Sequence, residues 1–120
     1  MTGFILFAHG SRIESANQAV RDVAARMAAS GRHTVEPAFL ELGQPDLAGA
    51  VQRLSAFQVS RIIVIPYFLT LGTHLQRDLP RLVLEAATAF NGEIQIEVTA
   101  PLDGHPALLE ALLDRASAAL

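Results

Sequence analysis

Four segments of this chain have strand character, and the contrast among them constrains the fold more than any other feature. Phe4-Ile5-Leu6-Phe7-Ala8 and Arg61-Ile62-Ile63-Val64-Ile65 are short, unbroken apolar runs, the pattern of strands buried on both faces. His33 to Phe39 is polar in places and contains Pro37, which a central strand does not tolerate because proline has no N–H to donate. Glu93-Ile94-Gln95-Ile96-Glu97-Val98 alternates strictly, as a half-exposed strand does. The first and third strands therefore belong in the middle and the second and fourth at the edges.

Helical patterns separate these strands. Glu14 to Ala29 places Val20, Val23, Ala24, Met27 and Ala28 on one face, and Ser30-Gly31 ends it. Asp46 caps a helix with the face Leu47, Ala50, Val51 and Leu54. Asp78 and Pro80 read as the start of a third helix, whose face is Leu79, Leu82, Val83, Ala86, Ala87 and Phe90, with Asn91-Gly92 as its stop. Pro101 to Pro106 leads into a last helix built on Leu108, Leu109, Leu112, Leu113 and Ala116. Strand and helix alternate without linker or repeat through 120 residues, enough for one core and too few for two. The expectation is a single three-layer α/β domain spanning 1–120, a four-stranded parallel sheet in the order 2-1-3-4. Right-handed crossovers put the first helix on one face and the second and third on the other.

Such a sheet has its switch point between strands one and three, and chemistry gathers at the carboxyl ends there. His9 leaves strand one in the turn His9-Gly10-Ser11-Arg12. Pro66 is expected to stop the third strand's ladder, after which Tyr67-Phe68-Leu69-Thr70-Leu71-Gly72-Thr73 delivers His74. Glu41 arrives alongside from strand two. Taken singly, His9 can be a helix cap, Glu41 a solvated loop residue, and Tyr67 and Phe68 core. His33 reads as inert on its edge strand, and His105 before Pro106 as part of a helix start. Convergence on one edge is what favours a functional reading of His9, Glu41 and His74. Two imidazoles and a carboxylate without thiolate form a borderline donor set suited to Co²⁺, Ni²⁺, Fe²⁺ or Zn²⁺, with positions left open. With reference pKa values of about 6.5 and 4.3, free His and Glu side chains also exchange protons near neutrality.

The net charge is −3, with nine cationic residues, all arginine. That balance gives no field for nucleic acid and no polybasic face for a membrane. No apolar run approaches the ~18 residues of a membrane span, and no secretion signal precedes the first strand. The absence of cysteine excludes disulfides and thiolate sites and fits a reducing cytoplasm. A phosphoryl-transfer site is an alternative use of His9, with Ser11 and Arg12 holding phosphate at a helix start. The histidine phosphatases carry Arg-His-Gly, however, and Ala8 occupies the first of those positions here. A third class is a metal carrier that binds the ion and turns over no substrate.

His9-Gly10-Ser11-Arg12 with Asn17, Phe39-Leu40-Glu41, and Pro66-Tyr67-Phe68-Leu69 through Gly72, His74, Asp78 and Pro80 follow one another, and Pro101-Leu102 with Gly104-His105-Pro106 completes the series. In this order and spacing the chain resembles the small CbiX-type sirohydrochlorin chelatases, relatives of the class II tetrapyrrole chelatases. It departs from many of them in having Thr73, rather than glycine, before His74. The resemblance implies insertion of Co²⁺ into sirohydrochlorin on the route to cobalamin, or of Fe²⁺ to make siroheme. His9 and His74 match the metal-binding histidines and Glu41 their acidic partner. No tightly bound cofactor is implied, because the divalent metal is itself a substrate. Sirohydrochlorin carries many carboxylates, for which Ser11, Arg12 and Arg77 are candidate partners, and Tyr67 and Phe68 are candidate ring contacts. A large macrocycle needs two walls, so a homodimer is expected, with Phe68-Leu69-Thr70-Leu71 contributing to its interface or to the ring pocket.

Overall fold

The computed structural model describes residues 1–31 and 33–120. Strands β1 (Thr2–Ala8), β2 (Thr34–Phe39), β3 (Arg61–Pro66) and β4 (Gln95–Val98) alternate with helices α1 (Glu14–Gly31), α2 (Leu47–Ser55), α3 (Thr73–Ala89) and α4 (Pro106–Ala119). The strands form one parallel sheet in the order β2-β1-β3-β4, as the run-versus-interruption contrast predicts.

Register decides which side chains share a face. Ile5 is aligned with Val64 and Glu36, and Ile62 with Ile96. Ile5, Phe7, Ala38, Ile62 and Val64 thus point to one side. There they form the main core with Leu47, Ala50, Val51 and Leu54 of α2 and Leu75, Leu79 and Ala86 of α3. Asp46 caps α2 by accepting from the Gly49 N–H at 2.8 Å. The opposite side presents Phe4, Leu6, Ala8, Val35, Pro37, Phe39, Ile63 and Ile65. Helix α1 covers the β1–β2 half of that side. Ala24 is buried there, Val20, Val23, Met27 and Ala28 are half-buried, and the Arg21 guanidinium lies 5.3 Å from the Phe39 ring centroid.

Several local details refine or correct the expectations. Pro66 is the last residue of β3 and closes its ladder as expected, paired with Phe7, while the Tyr67 N–H beyond it still donates to the Phe7 carbonyl at 2.7 Å. Proline at the strand's last position removes only its own donor. Helix α3 starts at Thr73 instead of near Asp78, so His74 lies in its first turn and Pro80 in its interior. Pro80 is exposed, and the Gln76 carbonyl it deprives of a partner belongs to an exposed residue. The paired part of β4 begins at Gln95, not Glu93, and His33 lies just outside β2. Finally, α4 forms where expected, yet it buries no residue and has no substantial packing against any other element.

Candidate metal and macrocycle site

The site grows out of main-chain pairing that outlasts the strands. Beyond the aligned pair Ala8 and Phe39, the Leu40 N–H donates to the Ala8 carbonyl at 2.9 Å and the Glu41 N–H to the His9 carbonyl at 3.1 Å. Two segments 32 residues apart in sequence are thereby laid side by side, and the Glu41 Oε1 comes 3.8 Å from the His9 Nε2. Gly10 makes the approach possible. It has φ +93, and a Cβ placed on it would stand 1.7 Å from the Glu41 carbonyl oxygen. Only glycine accommodates both conditions.

Asn17 fastens this corner to α1. Its side chain, 2% exposed, is the sole buried polar residue among those described. Oδ1 accepts from the Ser11 N–H at 2.9 Å, while Nδ2 donates to the Ser11 carbonyl at 2.8 Å and to the Leu42 carbonyl at 2.9 Å. One amide therefore holds the turn after His9 and the loop after Glu41 in fixed relation. In the sequence Asn17 stands out only as a member of the recurring pattern, since its partners lie 6 and 25 residues away.

His74 reaches the same place from β3. The Phe68–Gly72 loop returns to Gly72, the N-cap of α3, which offers no side-chain cap. The cap is instead reinforced from the next turn, where the Gln76 side chain donates to the Leu71 carbonyl at 3.1 Å. A cleft of about 280 Å³ is lined by His9, Leu40, Phe68, Thr73, His74 and Asp78, together with Gly72 and Leu75. Asp78, one turn after His74, lies on the same helix face; that position became meaningful only once the helix was seen to start at Thr73. The Arg77 Nε donates to the Asp78 carboxylate at 3.1 Å, and this guanidinium, more than the neighbouring Arg81 and His74, holds the Asp78 carboxyl below its usual range.

The two imidazoles differ in what they offer. The His9 Nδ1 stands 3.2 Å from the Gly10 carbonyl, so the tautomer that makes this bond keeps its proton on Nδ1. Nε2 is then left as a free lone pair facing Glu41. The Arg77 Nη2 donates to the His74 Nδ1 at 3.3 Å, which requires the neutral ring to carry its proton on Nε2. His74 must therefore leave Arg77 and change tautomer before Nε2 can ligate.

Of the sequence candidates, the structure brings His9, His74 and Phe68 to one cleft, with Glu41 against His9. Ser11, Arg12, Tyr67 and Arg77 do not line it. The Ser11 hydroxyl already accepts from the Ile13 N–H at 3.0 Å and its own N–H is taken by Asn17, while Arg12 and Tyr67 are exposed nearby in sequence. Among the described residues no group of three His, Asp or Glu side chains is close enough to hold a metal ion. His9 and Glu41 are respectively 57% and 59% exposed. The corner is open to solvent.

Comparison with known proteins places this arrangement. The model of the CbiX family matches residues 3–119. Sirohydrochlorin ferrochelatase of Arabidopsis thaliana chloroplasts is 36% identical over 94% of this chain, which spans about half (50%) of that relative's length. Sirohydrochlorin cobaltochelatase of Methanopyrus kandleri is 30% identical over 100% of this chain and 98% of its own. Among solved structures, the CbiX protein of Marinobacter aquaeolei superposes with a TM-score of 0.85 at 26% identity, covering 98% of this chain and 95% of that one. The cobalt complex of the Bacillus subtilis chelatase SirB shares the fold, with a TM-score of 0.81 at 24% identity over 97% of this chain and 50% of that one. With matched residues reaching from the first strand to the last helix, this chain belongs to the CbiX family.

Proposed function

We propose that this protein is a sirohydrochlorin chelatase, and that Co²⁺ is the metal it inserts. The observation that carries the reading is the convergence of His9, Glu41 and His74 at the carboxyl edge between β1 and β3, in a chain whose relatives are chelatases of this ring. Cobalt, and with it the cobalamin route, is favoured because the cobaltochelatase relative matches over both full lengths, whereas the ferrochelatase relative is twice as long. Insertion of Fe²⁺ for siroheme is the competing assignment.

The free macrocycle holds two protons on inner nitrogens, and M²⁺ replaces both. The reaction therefore needs a partly dehydrated ion on one side of the ring and an acceptor for each proton. The His9 Nε2 lone pair receives the ion from solvent, and His74 joins once Arg77 releases it. Glu41 takes one of the two displaced protons and the other leaves to solvent water. Among the described residues no third donor is preassembled, and weak ligation of this kind lets the ion pass on to the ring. In this reading Arg77, once freed from His74, meets a ring carboxylate, and Phe68, which lines the cleft, lies against the macrocycle.

A cleft of about 280 Å³ is just below the ~300–1,000 Å³ that small-ligand pockets occupy, too little to enclose a tetrapyrrole. A homodimer supplies the second wall. The test is anaerobic absorbance of sirohydrochlorin with protein and Co²⁺, Fe²⁺ or Ni²⁺ in separate cuvettes. Acceleration over the uncatalysed rate, greatest with Co²⁺, is expected. Acceleration with Fe²⁺ alone assigns the siroheme route, and none with any metal overturns the chelatase reading.

A further inference from the structure

We propose that Arg77 and Asp78 form a gate on His74 that the macrocycle opens: a ring carboxylate draws the Arg77 guanidinium away, and His74 then turns to Asp78 and becomes a metal ligand. This rests on the chelatase reading above and adds an order of events to it, ring before full capture of the ion. In the closed arrangement His74 offers an ion nothing. Its Nδ1 accepts from the Arg77 Nη2 at 3.3 Å, and a neutral imidazole engaged there carries its proton on Nε2. Neither nitrogen then has a lone pair to give, and a guanidinium charge stands beside the ring.

The placement of Arg77 follows from its neighbours on α3. Arg81 has a carboxylate four residues ahead and takes it, its Nη1 donating to the Glu85 Oε1 at 2.9 Å. Four residues ahead of Arg77 stands Arg81 itself. Arg77 therefore has no such partner and reaches toward the first turn, the direction in which long helical side chains lean. There it meets His74 through Nη2 and Asp78 through Nε, the latter at 3.1 Å. His74 and Asp78 are one turn apart and line the cleft together with His9, whereas Arg77 does not line it. One guanidinium edge thus straddles two cleft residues from outside.

That edge is the one with which this chain grips a carboxylate elsewhere. The Arg61 Nε and Nη2 hold the two oxygens of Glu97 at 3.2 and 2.8 Å. On Arg77 the same two nitrogens are divided between an imidazole and a single carboxylate oxygen. A carboxylate presenting both oxygens satisfies the edge bidentately, a stronger arrangement than the divided one. Little holds Arg77 back, because its side chain is 71% exposed and exposed pairs contribute little. Co²⁺ alone has no equivalent means of entry, since the guanidinium repels a cation and no lone pair waits behind it. Sirohydrochlorin, with its many carboxylates, has one.

Release changes both partners of Arg77. His74 gives its Nε2 proton to water and takes one at Nδ1, with no net uptake of protons. Asp78, relieved of Arg77, becomes the acceptor for that Nδ1–H, and a carboxylate behind a ligating histidine fixes its tautomer and strengthens it as a ligand. Nε2 then carries the lone pair, as it does in His9. Asp78 is thus a positioning residue, acting on the ion through His74. Because linkage is reciprocal, the ring raises the affinity for Co²⁺ by the same factor by which Co²⁺ raises the affinity for the ring.

Histidine ring-nitrogen NMR of the full chain, without metal and at about pH 8 where the imidazoles are neutral, reads the tautomers. His105, whose Nδ1 accepts from the Ala107 N–H at 3.1 Å, is the internal reference. His74 is expected as the Nε2–H form in the free protein and as the Nδ1–H form once metal-free sirohydrochlorin is added, with His105 unmoved. In equilibrium dialysis of Co²⁺ without the ring, Arg77→Ala should bind about fivefold to tenfold more tightly than wild type, the low end of linkage effects. Arg77→Lys, which keeps the charge but has no planar fork to straddle two partners, should follow alanine, and Arg77→Ala/Asp78→Ala should lose the gain. His74 still Nε2–H with sirohydrochlorin bound, in protein that accelerates insertion, overturns the gate and leaves the chelatase reading standing. Wild-type Co²⁺ affinity in Arg77→Ala does the same, and wild-type affinity in Arg77→Lys alone reduces the effect to charge and overturns the gate as well. A gain that survives in the double variant overturns the part given to Asp78. Sirohydrochlorin that moves no cleft signal and gains no insertion rate overturns gate and chelatase reading together.

Discussion

Replacing Asn17 by alanine tests whether one buried amide organises the site. The substitution deletes three hydrogen bonds of 2.8 to 2.9 Å. At a net value of about 1 kcal/mol each, their loss costs about 3 kcal/mol. The exposure of Leu42 and partial exposure of Ser11 let water reach the orphaned groups, which keeps the total near 2–3 kcal/mol instead of adding full desolvation penalties. For a domain of this size that lowers Tm by roughly 10 °C. Metal insertion falls with it, because the Ser11 turn and the Leu42 loop set the approach of Glu41 to His9. Asn17→Asp refines the test. Its carboxyl would keep the Ser11 N–H but face two carbonyl oxygens, so its folded pKa is raised. A raised folded value means the deficit is smallest below the unfolded pKa of about 3.9 and grows as pH rises through the folded one. Urea unfolding followed by circular dichroism at pH 4 and pH 7 gives both numbers. A cost under ~0.5 kcal/mol for Asn17→Ala, with insertion unchanged, would refute the reasoning, since buried hydrogen-bonded side chains rarely come so cheaply.

Two further outcomes follow from the same corner. Gly10→Ala forces a Cβ against the Glu41 carbonyl at a left-handed φ; it should destabilise by more than ~2 kcal/mol and abolish insertion, measured by unfolding and by the absorbance assay. Arg77→Ala removes the main cause of the low Asp78 pKa, so NMR titration should find that carboxyl moved up toward the ordinary aspartate range. Because the folded pKa is depressed, the wild-type stabilisation exists above the unfolded value and fades as pH falls through the folded one. The variant is accordingly less stable than the wild type near neutrality, and the difference fades as pH falls through the folded pKa, most visibly at low salt.

The sheet order was legible because burial writes itself into hydrophobic pattern. Unbroken runs marked β1 and β3, and Pro37 and the Ile94-Gln95-Ile96 alternation marked the edges. The site's elements were legible for the same reason, as topology brings strand ends together. The start of α3 was not. Proline near a helix start is a strong signal, and Pro80 displaced attention from Gly72, whose cap uses no side chain of its own. From sequence alone His74 therefore falls in the loop, one turn before the expected helix start. The role of Asn17 was hidden because its bonds depend on register between distant segments. The leucine stripe of α4 was plain in the sequence, but an apolar stripe does not say what it meets. Among the described residues none of this stripe is buried.

The most direct test of the central claim, that the carboxyl edge between β1 and β3 inserts metal, is the anaerobic insertion rate with sirohydrochlorin and Co²⁺ for wild type, His9→Ala, His74→Ala and Glu41→Gln. Protein mass and hydrogen-exchange protection serve as controls for folding. The account predicts acceleration by the wild type, loss of at least 100-fold in either histidine variant, and a smaller loss in Glu41→Gln. Wild-type rates from folded His9→Ala or His74→Ala protein would place the chemistry elsewhere and contradict it.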